Sequence, residues 1–446
     1  MKIEYGSGMF SLPIQRDYIM DEHDLDLLRE KQTLVFSLQE SAERRETEMV
    51  CNRYASDTWT GLAHMSRTPT GFPVDMTRTE DGVEFSDPIT SPTNIGLFLT
   101  SVIAAHDLDL VSSQVAEDSI DTVLTSLGKV DKDHGLFYNW YNTQTGDISE
   151  NIGRPFISTV DNAWLAAGLM AVEAASSPEH SDRAKQIIDQ MNLPLLYDWN
   201  RNLFYGGYFA DSHESVKWHY DILNTEARIA SYVGISRFNI PEINYGRLGK
   251  YSPADVPVPT SQNRQHFSSW GGSMFEALMP TLFVPEQEWS KVWQDSHKKY
   301  VEIQMKDGER RNNGFWGISP CYNGTYHEEG LPELAVKEGG YGALNIITPH
   351  ASFLSIPFAP TQAVDNLVRL EQMYPTLYKK GFGFSDSVDV GTGEVSNTYL
   401  ALDQAMSIIA LANYLSGNRM HDYLSPQLAA VRPLIASVNY DFPLVA

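Results

Sequence analysis

The sequence has few cysteines and no long apolar run. Its 446 residues include two cysteines, Cys51 and Cys321, so neither a disulfide framework nor a zinc site of the Cys-x-x-Cys kind is expected. No apolar run approaches the roughly 18 residues of a membrane span, and residues 1–16 lack the apolar core of a signal peptide. As written, the sequence predicts a cytoplasmic protein; a periplasmic or secreted location would follow if a leader had been removed.

Basic residues are also scarce. There are 33 Lys and Arg residues against 57 Asp and Glu residues, which gives a formal net charge of −24. Nucleic acids and anionic membrane surfaces are bound through basic patches, so neither is expected as a partner. A neutral substrate is compatible with this charge, although the charge could also serve solubility alone.

The motifs of several enzyme classes are missing. The sequence has no G-x-S-x-G nucleophile elbow, no H-E-x-x-H zinc motif and no glycine-rich phosphate loop. No EF-hand-like loop suggests a calcium site. We therefore expect neither a metal site nor a cofactor.

Helical patterns separated by long loops make up most of the chain. About a dozen predicted helices follow one another in hairpin pairs, and aromatic residues (11% of the chain) gather beside Gly, Asn and Pro in the loops. This spacing predicts an all-α fold, the (α/α)6 barrel, in which six helical hairpins form a toroid and the loops build a cleft at one end. We expect an irregular segment and helical extension over residues 1–50 and the barrel over residues 51–446.

Residues 220–234 are predicted to form a helix whose apolar face carries one carboxyl group, that of Glu226. The rest of that face is apolar: Ile222, Ile229, Ala230 and Val233. A buried carboxyl has a raised pKa and can remain protonated near neutral pH, as a general acid must. The alternative is a structural carboxylate paired with Arg228 or with a buried amide.

Further acids recur beside aromatic and glycine-rich elements. They are Asp161, Glu276, Glu328, Glu329, Asp386 and Asp403. An inverting glycosidase needs one protonated carboxyl and one carboxylate that activates water, whereas a retaining enzyme uses a closer pair with a nucleophile. The sequence offers enough acids for either mechanism.

As a set, several motifs resemble a known family. They are S-P-T-N-I-G-L-F-L-T-S-V-I-A-A-H-D-L, F-Y-N-W-Y-N-T-Q-T-G, S-T-V-D-N-A-W-L-A-A-G-L, Y-D-I-L-N-T-E-A-R-I-A-S-Y-V-G-I, S-W-G-G-S-M-F-E-A-L-M-P, W-G-I-S-P-C-Y-N, G-F-G-F-S-D-S-V-D and Y-L-A-L-D-Q-A-M. Together they are similar to the glucoamylase-like (α/α)6 proteins, which include the glucan-processing domain of cyclic β-1,2-glucan synthases and the endo-β-1,2-glucanases. The resemblance covers about residues 57–415.

The resemblance implies roles for particular acids. Glu226 matches the family's acid, which reaches the glycosidic oxygen through a sugar hydroxyl. The synthase domain has a Glu after W-G-I-S, a plausible nucleophile, where this chain has Pro320. A proline cannot act as a nucleophile, so the resemblance implies inversion with water. Asp386 matches an acidic family position and is the expected base. The alternative candidates for the base are Asp161, Glu328, Glu329 and Asp403. Any of them could act on the attacking water through a relay of further water molecules.

The expected substrate-binding residues are mostly aromatic or amide side chains of the cleft, together with three of the acids. They are Trp59, Asn94, Trp140, Tyr141, Arg154, Trp270, Trp316, Tyr322, Tyr326, Glu328, Glu329, Tyr341, His350 and Asp403. Large aromatic residues also dominate protein cores, so a tryptophan on a helix, such as Trp270, could be a core residue instead.

The function expected from this resemblance is hydrolysis of β-1,2-glucan at internal bonds, with inversion, by a monomer. Two alternatives remain: the same fold could act on another neutral β-glucan or exopolysaccharide, or the protein could bind glucan without cleaving it.

Overall fold

The computed structural model describes residues 22–80, 83–149, 153–250, 266–337, 339–342 and 344–440, with side chains described from residue 44 onward except that of Asn323. Most of the segment predicted to be irregular, residues 1–16, therefore lies outside the described residues. The chain divides into two compact units, Met1–Met49 and Val50–Ala446.

Helices dominate the described residues. The α-helices are α1 (Glu22–Met65), α2 (Pro92–Asp107), α3 (Ser113–Lys129), α4 (Thr159–Ala175), α5 (Pro178–Gln190), α6 (Arg228–Arg237), α7 (Ile243–Arg247), α8 (Met274–Leu278), α9 (Glu286–Trp289), α10 (Lys291–Arg311), α11 (Pro349–Ser355), α12 (Pro360–Met373), α13 (Ala401–Ser416), α14 (Arg419–Leu424) and α15 (Arg432–Ala436). Short 3-10 turns cover Leu193–Leu196, Met279–Leu282 and Pro332–Leu334.

Small polar residues determine where the main helices begin. The Ser91 hydroxyl accepts a hydrogen bond from the Asn94 backbone N–H at the start of α2, and the Ser158 hydroxyl accepts one from the Asp161 N–H at the start of α4. These bonds satisfy backbone donors that have no partner within the helix. The cap on α4 fixes the backbone of Asp161, one of the predicted site residues.

The core lies where the most apolar helices meet. Helix α2 packs between α4 and α13, α4 also contacts α6, and α13 also contacts α11, which in turn contacts α8. Nearly every residue of α2 is buried. Gly96 and Gly168 allow α2 and α4 to approach closely, because a Cβ atom on Gly168 would lie 2.2 Å from the carbonyl oxygen of Gly96. The amphipathic helices α3, α5 and α12 cover α2, α4 and α11 respectively, as expected of helical hairpins.

The loops carry short antiparallel strands, which the all-α prediction lacked. They are β1 (Met76–Glu80), β2 (Val83–Ser86), β3 (Ile89–Thr90), β4 (Lys132–Asp133), β5 (Leu136–Phe137), β6 (Tyr141–Asn142), β7 (Phe156–Ser158), β8 (Tyr197–Asp198), β9 (Leu203–Tyr205), β10 (Gly207–Phe209), β11 (Glu214–Ser215), β12 (His219–Tyr220), β13 (Cys321–Asn323), β14 (Thr325–His327), β15 (Ile346–Ile347), β16 (Tyr378–Lys379), β17 (Gly383–Phe384), β18 (Val388–Asp389) and β19 (Thr398–Leu400). The prediction of a mainly helical fold is confirmed. The description of the fold as all-α is incomplete, because backbone hydrogen bonds between loop segments form these short strands.

Two small sheets matter for the site. In one, β9 pairs with both β8 and β12, with Leu203 opposite Asp198 and Tyr205 opposite His219. In the other, β13 and β14 form a hairpin with Tyr322 opposite Tyr326. Each sheet holds loop side chains at fixed positions beside the helix ends.

One predicted helix is much shorter than expected. The apolar pattern of residues 268–282 predicts a single helix, but α8 covers only five of these residues and is followed by the 3-10 turn. Gly272 has a φ of 84°, in the left-handed region, and Pro280 has no N–H to donate. Both residues interrupt the α-helical hydrogen bonds. None of the helices within the described ranges is both long and apolar enough to cross a membrane.

Candidate active site

A cavity of about 710 Å³ lies beside the N-terminal ends of α6 and α8. Four of the predicted site residues line it: Glu226, Trp270, Glu328 and Tyr341. The other lining residues are Arg201, Leu203, Lys217, Trp218, His219, Tyr220, Asp221, Ile222, Thr225 and Glu276. Aromatic rings and carboxyl groups therefore share one cleft, the composition typical of a site for a polar organic ligand.

Glu226 lies in a turn, not in the predicted helix. Helix α6 begins two residues later, at Arg228. The turn is anchored by Asn224, whose buried amide donates a hydrogen bond to the backbone oxygen of Phe267 at 2.8 Å. The apolar spacing was correct, but it could not show that a tertiary hydrogen bond delays the start of the helix.

The Glu226 carboxyl group is largely surrounded by protein and reaches solvent only on the cavity side. Burial raises its pKa from 4.5 to about 8, and the charge of Glu276 adds to the rise, followed by that of Glu328. The charge of Arg228 acts in the opposite direction but does not overcome burial. Glu226 is therefore protonated at neutral pH and faces the cleft, as a general acid requires.

Arg228 pairs with a different carboxylate. Its guanidinium donates to both oxygens of Glu286, at 2.7 and 2.8 Å, with both side chains fully buried. It also donates to the backbone oxygens of Thr225 and Ala277. The structural alternative in which Glu226 serves as the ion-pair partner of Arg228 is therefore wrong. Arg228 instead ties the Glu226 turn to α8.

Glu276, in the first turn of α8, is held rigidly at the cavity wall. Its carboxylate accepts hydrogen bonds from Ser269 Oγ at 2.7 Å, from Gly271 N at 3.0 Å and from Ser273 N at 3.1 Å, the last completing a capping box. Burial raises its pKa, and these donors oppose the rise. A carboxylate with this many donors is suited to orienting its neighbours and to raising the pKa of Glu226.

Trp270, Glu328 and Tyr341 form another wall of the cavity. The Trp270 side chain is 45% exposed. The Tyr341 ring lies against Gly271, where a Cβ atom would come within 1.7 Å of the ring. Burial raises the pKa of the Tyr341 hydroxyl, and its hydrogen bond to Glu328 adds to the rise. Two flat aromatic surfaces therefore face the cleft.

A second acidic cluster lies around a very small cavity of about 10 Å³ lined by Asp386, Asp403 and His350. Asp386 Oδ2 accepts a hydrogen bond from the backbone N–H of Tyr322 at 2.8 Å. Burial strongly raises the pKa of Asp386, and the charge of Asp403 and a hydrogen bond with it raise that pKa further. His350 Nδ1 lies 3.1 Å from Asp403 Oδ2. Burial and the neighbouring charge therefore both favour the protonated form of Asp386.

Tyr326 is influenced by acids of both clusters. The residue as a whole is 58% exposed on β14, whereas its hydroxyl end is largely surrounded by protein. After the effect of burial, the charges of Glu328, Glu226 and Asp403 raise the pKa of its hydroxyl. The Tyr326 hydroxyl is therefore within electrostatic reach of an acid from each cluster.

Two further predicted residues lie near these acids. Asp161 accepts a hydrogen bond from Thr93 Oγ1 at 2.6 Å. Asn94 donates to Asp75, an acid that the sequence analysis missed. Burial raises the pKa of Asp75 to about 6, and charges including those of Asp161 and Asp403 add to the rise.

The remaining predicted side chains do not line either cavity. Trp59, Tyr141 and Trp316 are core residues: Trp59 stacks on Phe98 with centroids 6.3 Å apart, and the Tyr141 hydroxyl donates to the backbone oxygen of Asp131. A sugar could not reach these buried rings.

Of the others, Glu329 is buried, and Trp140 is partly buried. Arg154 is exposed and bonds Asp211 through two nitrogen atoms. The backbone N–H of Tyr322 donates to Asp386, but the Tyr322 side chain lines neither cavity. In the part of the chain that the structure describes, no group of three or more His, Cys, Asp or Glu residues is arranged to hold a metal ion.

Comparison with known proteins gives matches to two family models. Residues 223–421 match a family described as "Putative glucoamylase", and residues 53–220 match a protein family of unknown function, DUF3131. A cyclic β-(1,2)-glucan synthase, NdvB of Rhizobium meliloti (strain 1021), is 29% identical over 284 residues, which span 59% of this chain and 10% of the synthase. The chain thus corresponds to a small part of that protein.

Solved structures share the fold. An endo-β-1,2-glucanase from Chitinophaga pinensis, in complex with sophorotriose and glucose, superposes with a TM-score of 0.70 at 16% identity over 87% of this chain and 98% of that one. A variant endo-β-1,2-glucanase from Talaromyces funiculosus, in complex with β-1,2-glucan, gives 0.69 at 13% identity over 89% of each chain. The resemblance predicted from sequence is confirmed: this chain is similar to the glucoamylase-like proteins and shares the fold of endo-β-1,2-glucanases.

Proposed function

We propose that this protein is a glycoside hydrolase that cleaves β-1,2-glucan at internal bonds with inversion, on an (α/α)6 toroid whose inner helices include α2, α4, α6, α11 and α13. The observation that carries the proposal is Glu226, a carboxyl group at the wall of an aromatic cleft with a pKa of about 8. The proteins named above add support, since two of them were solved with β-1,2-linked glucan or its oligosaccharides.

Glu226 is the proposed general acid. As the bond between C1 and the glycosidic oxygen breaks, its proton passes to that oxygen, directly or through a sugar hydroxyl. A water oxygen forms the new bond to C1 from the opposite face. Two neighbouring residues support this role. The charge of Glu276 keeps the pKa of Glu226 high, and Arg228 holds the turn that carries Glu226.

Asp386 is the proposed base. The attacking water must lose a proton. Asp386, which forms a pair with Asp403, has a raised pKa, so its ionised form is a strong acceptor for that proton. Because the pair lies outside the large cavity, the proton travels through an intervening water, along a path that passes Tyr326. Asp161, held by Thr93, is the second candidate for the base.

Pro320 supports inversion. It lies directly before β13, partly exposed, at the position where the resemblance expects a nucleophilic Glu. Without a carboxyl group there, water is the natural nucleophile, and no covalent sugar–enzyme intermediate is needed.

The proposal is tested by incubating the purified protein and its Glu226→Gln variant with linear β-1,2-glucan and measuring the oligosaccharides released. General acid–base groups contribute about 10²- to 10⁴-fold, so the variant should lose at least about 100-fold in kcat. Glu394→Gln, in an exposed loop, is the matched control and should behave as wild type.

Three other outcomes would each count against the proposal. Near wild-type activity of Glu226→Gln would remove Glu226 from the mechanism. Cleavage of another neutral glucan but not of β-1,2-glucan would overturn the substrate. Binding of β-1,2-glucan without turnover would identify a binding protein.

A further inference from the structure

One wall of the large cavity has no role in the proposed chemistry. It is formed by Trp218 and His219 on and beside β12. Asp198, at the end of β8, contacts His219 but does not itself line the cavity. Since β8 and β12 flank β9 in one sheet, these residues are positioned by backbone pairing. Their arrangement is that of a ligand-binding surface, with one flat ring beside one oriented polar group.

The Trp218 ring is exposed but held in place. It is 52% exposed and lies over Gly206, where a Cβ atom would come within 2.0 Å of the ring. The backbone N–H of Gly206 also donates to the oxygen of Trp218 at 3.1 Å, and the ring meets Tyr220 edge-on with centroids 5.1 Å apart. A flat apolar ring that is held in place at the wall of a cleft is a suitable surface for the apolar face of a ligand.

His219 is oriented by a carboxylate. Its Nε2 lies 2.9 Å from Asp198 Oδ2, and its ring lies against that of Tyr205, tilted by 31° with centroids 4.6 Å apart. Burial opposes ionisation of Asp198, but N–H donors from Arg201, His219 and Asn200 lower its pKa overall. Asp198 is therefore ionised and faces Nε2, so an imidazole with its proton on Nε2 presents Nδ1 as a hydrogen-bond acceptor. The His219 side chain lines the cavity with only 8% of its surface exposed, and no hydrogen bond of Nδ1 is found among the residues that the structure describes.

Tyr220 relates this wall to the proposed acid. Its ring meets that of Trp218 edge-on, and it also lines the cavity. After burial, the charge of Glu226 raises the pKa of the Tyr220 hydroxyl, so this hydroxyl is within electrostatic reach of Glu226. A sugar ring bound on Trp218 would therefore lie in the same cleft as the proposed acid.

We propose that Trp218 and His219 form a pyranose subsite of this cleft, in which the apolar face of one glucose unit lies on the Trp218 ring and one of its hydroxyls donates to His219 Nδ1. Asp198 and Gly206 are positioning residues. Asp198 fixes the tautomer of the His219 imidazole, and Gly206 allows the Trp218 ring to lie close to the backbone. The proposal rests on the proposed function for the identity of the sugar. It assigns the subsite to a neutral glucan chain.

Binding is measured by calorimetry with linear β-1,2-gluco-oligosaccharides in the Glu226→Gln background, where turnover is removed. Trp218→Ala and His219→Gln should each raise Kd about tenfold, because each removes a contact on the order of 1.4 kcal/mol. The Gln amide nitrogen can still donate to Asp198, so His219→Gln removes the acceptor at the Nδ1 position with little disturbance of the fold. Trp218→Phe, which keeps a flat ring, should recover most of the affinity, and Gly206→Ala should weaken binding by displacing the ring.

Trp199→Ala is the matched control. Trp199 is 57% exposed, like Trp218, but it does not line the cavity. Unchanged Kd values for Trp218→Ala and His219→Gln, or an equal loss in Trp199→Ala, would refute the subsite. In the active enzyme, the two subsite variants should raise KM while kcat changes less than about threefold.

The two proposals fail separately. Binding that depends on Trp218 without any hydrolysis by the wild-type protein would refute the proposed function and leave the subsite standing. Normal hydrolysis combined with unchanged binding by Trp218→Ala and His219→Gln would refute the subsite alone.

Discussion

Replacing Glu226 with Gln should stabilise the protein at alkaline pH while removing its activity. In the folded state the pKa of Glu226 rises from 4.5 to about 8, mainly through burial. The folded chain thus holds this proton more tightly than the unfolded chain does, so the free energy of unfolding falls as pH rises from 4.5 to 8. A neutral Gln removes this loss.

The size of the expected gain in stability follows from the pKa shift of Glu226. Each pKa unit corresponds to about 1.4 kcal/mol, so ionising Glu226 inside the fold costs at most about 5 kcal/mol. Because one side of the carboxyl group meets water in the cavity, we expect a gain of roughly 1–3 kcal/mol for Glu226→Gln at pH about 9. The gain should vanish below pH about 4.5, where both chains carry a neutral group.

The assay is urea-induced unfolding followed by tryptophan fluorescence at acidic, neutral and alkaline pH, for wild type, Glu226→Gln and the exposed-loop control Glu394→Gln. The difference between wild type and Glu226→Gln should grow with pH, while Glu394→Gln should track wild type throughout. A difference that is independent of pH, or a less stable Glu226→Gln at alkaline pH, would refute the conclusion that Glu226 is a buried acid with a raised pKa.

Three further predictions follow from the same contacts. Glu276→Gln keeps a residue that can complete the capping box but removes the negative charge beside Glu226. The fall of kcat at alkaline pH should therefore occur about one pH unit lower than in wild type. An unchanged alkaline fall would contradict the electrostatic coupling between Glu276 and Glu226. Asp386→Asn should lower kcat by about 10²-fold or more, and a larger loss in Asp161→Asn than in Asp386→Asn would move the base to Asp161. Arg228→Met leaves Glu286 buried without its partner, so chemical denaturation should show a loss of about 3–5 kcal/mol, and wild-type stability would contradict the role assigned to this ion pair.

The sequence was sufficient to predict the helical hairpins and the raised pKa of Glu226. Apolar periodicity marks buried helices such as α2 and α4 well, because nearly every position of their pattern is in the core. It could not place the start of α6, since the Glu226 turn is held by Asn224 bonding a distant backbone oxygen. A contact across 43 residues leaves no local pattern.

The individual cleft residues were harder to predict for a related physical reason. Trp59 and Trp270 look alike in sequence, yet Trp59 is buried against Phe98 and Trp270 is open to the cavity. Trp218 lies in a short polar segment outside the motifs of the resemblance. The contact between Asp198 and His219 joins residues that are 21 positions apart, on two strands that both pair with β9. The adjacency of Gly206 and Trp218 across this sheet is likewise visible only in the folded chain.

The most direct test of the central claim is proton NMR of the anomeric signals during the first minutes of digestion of linear β-1,2-glucan. Cleavage by water with inversion should produce α-anomeric reducing ends first, with β-anomers growing in later by mutarotation. Initial β-anomers would contradict inversion and require a nucleophile, and the absence of any new reducing end would contradict hydrolysis of this glucan.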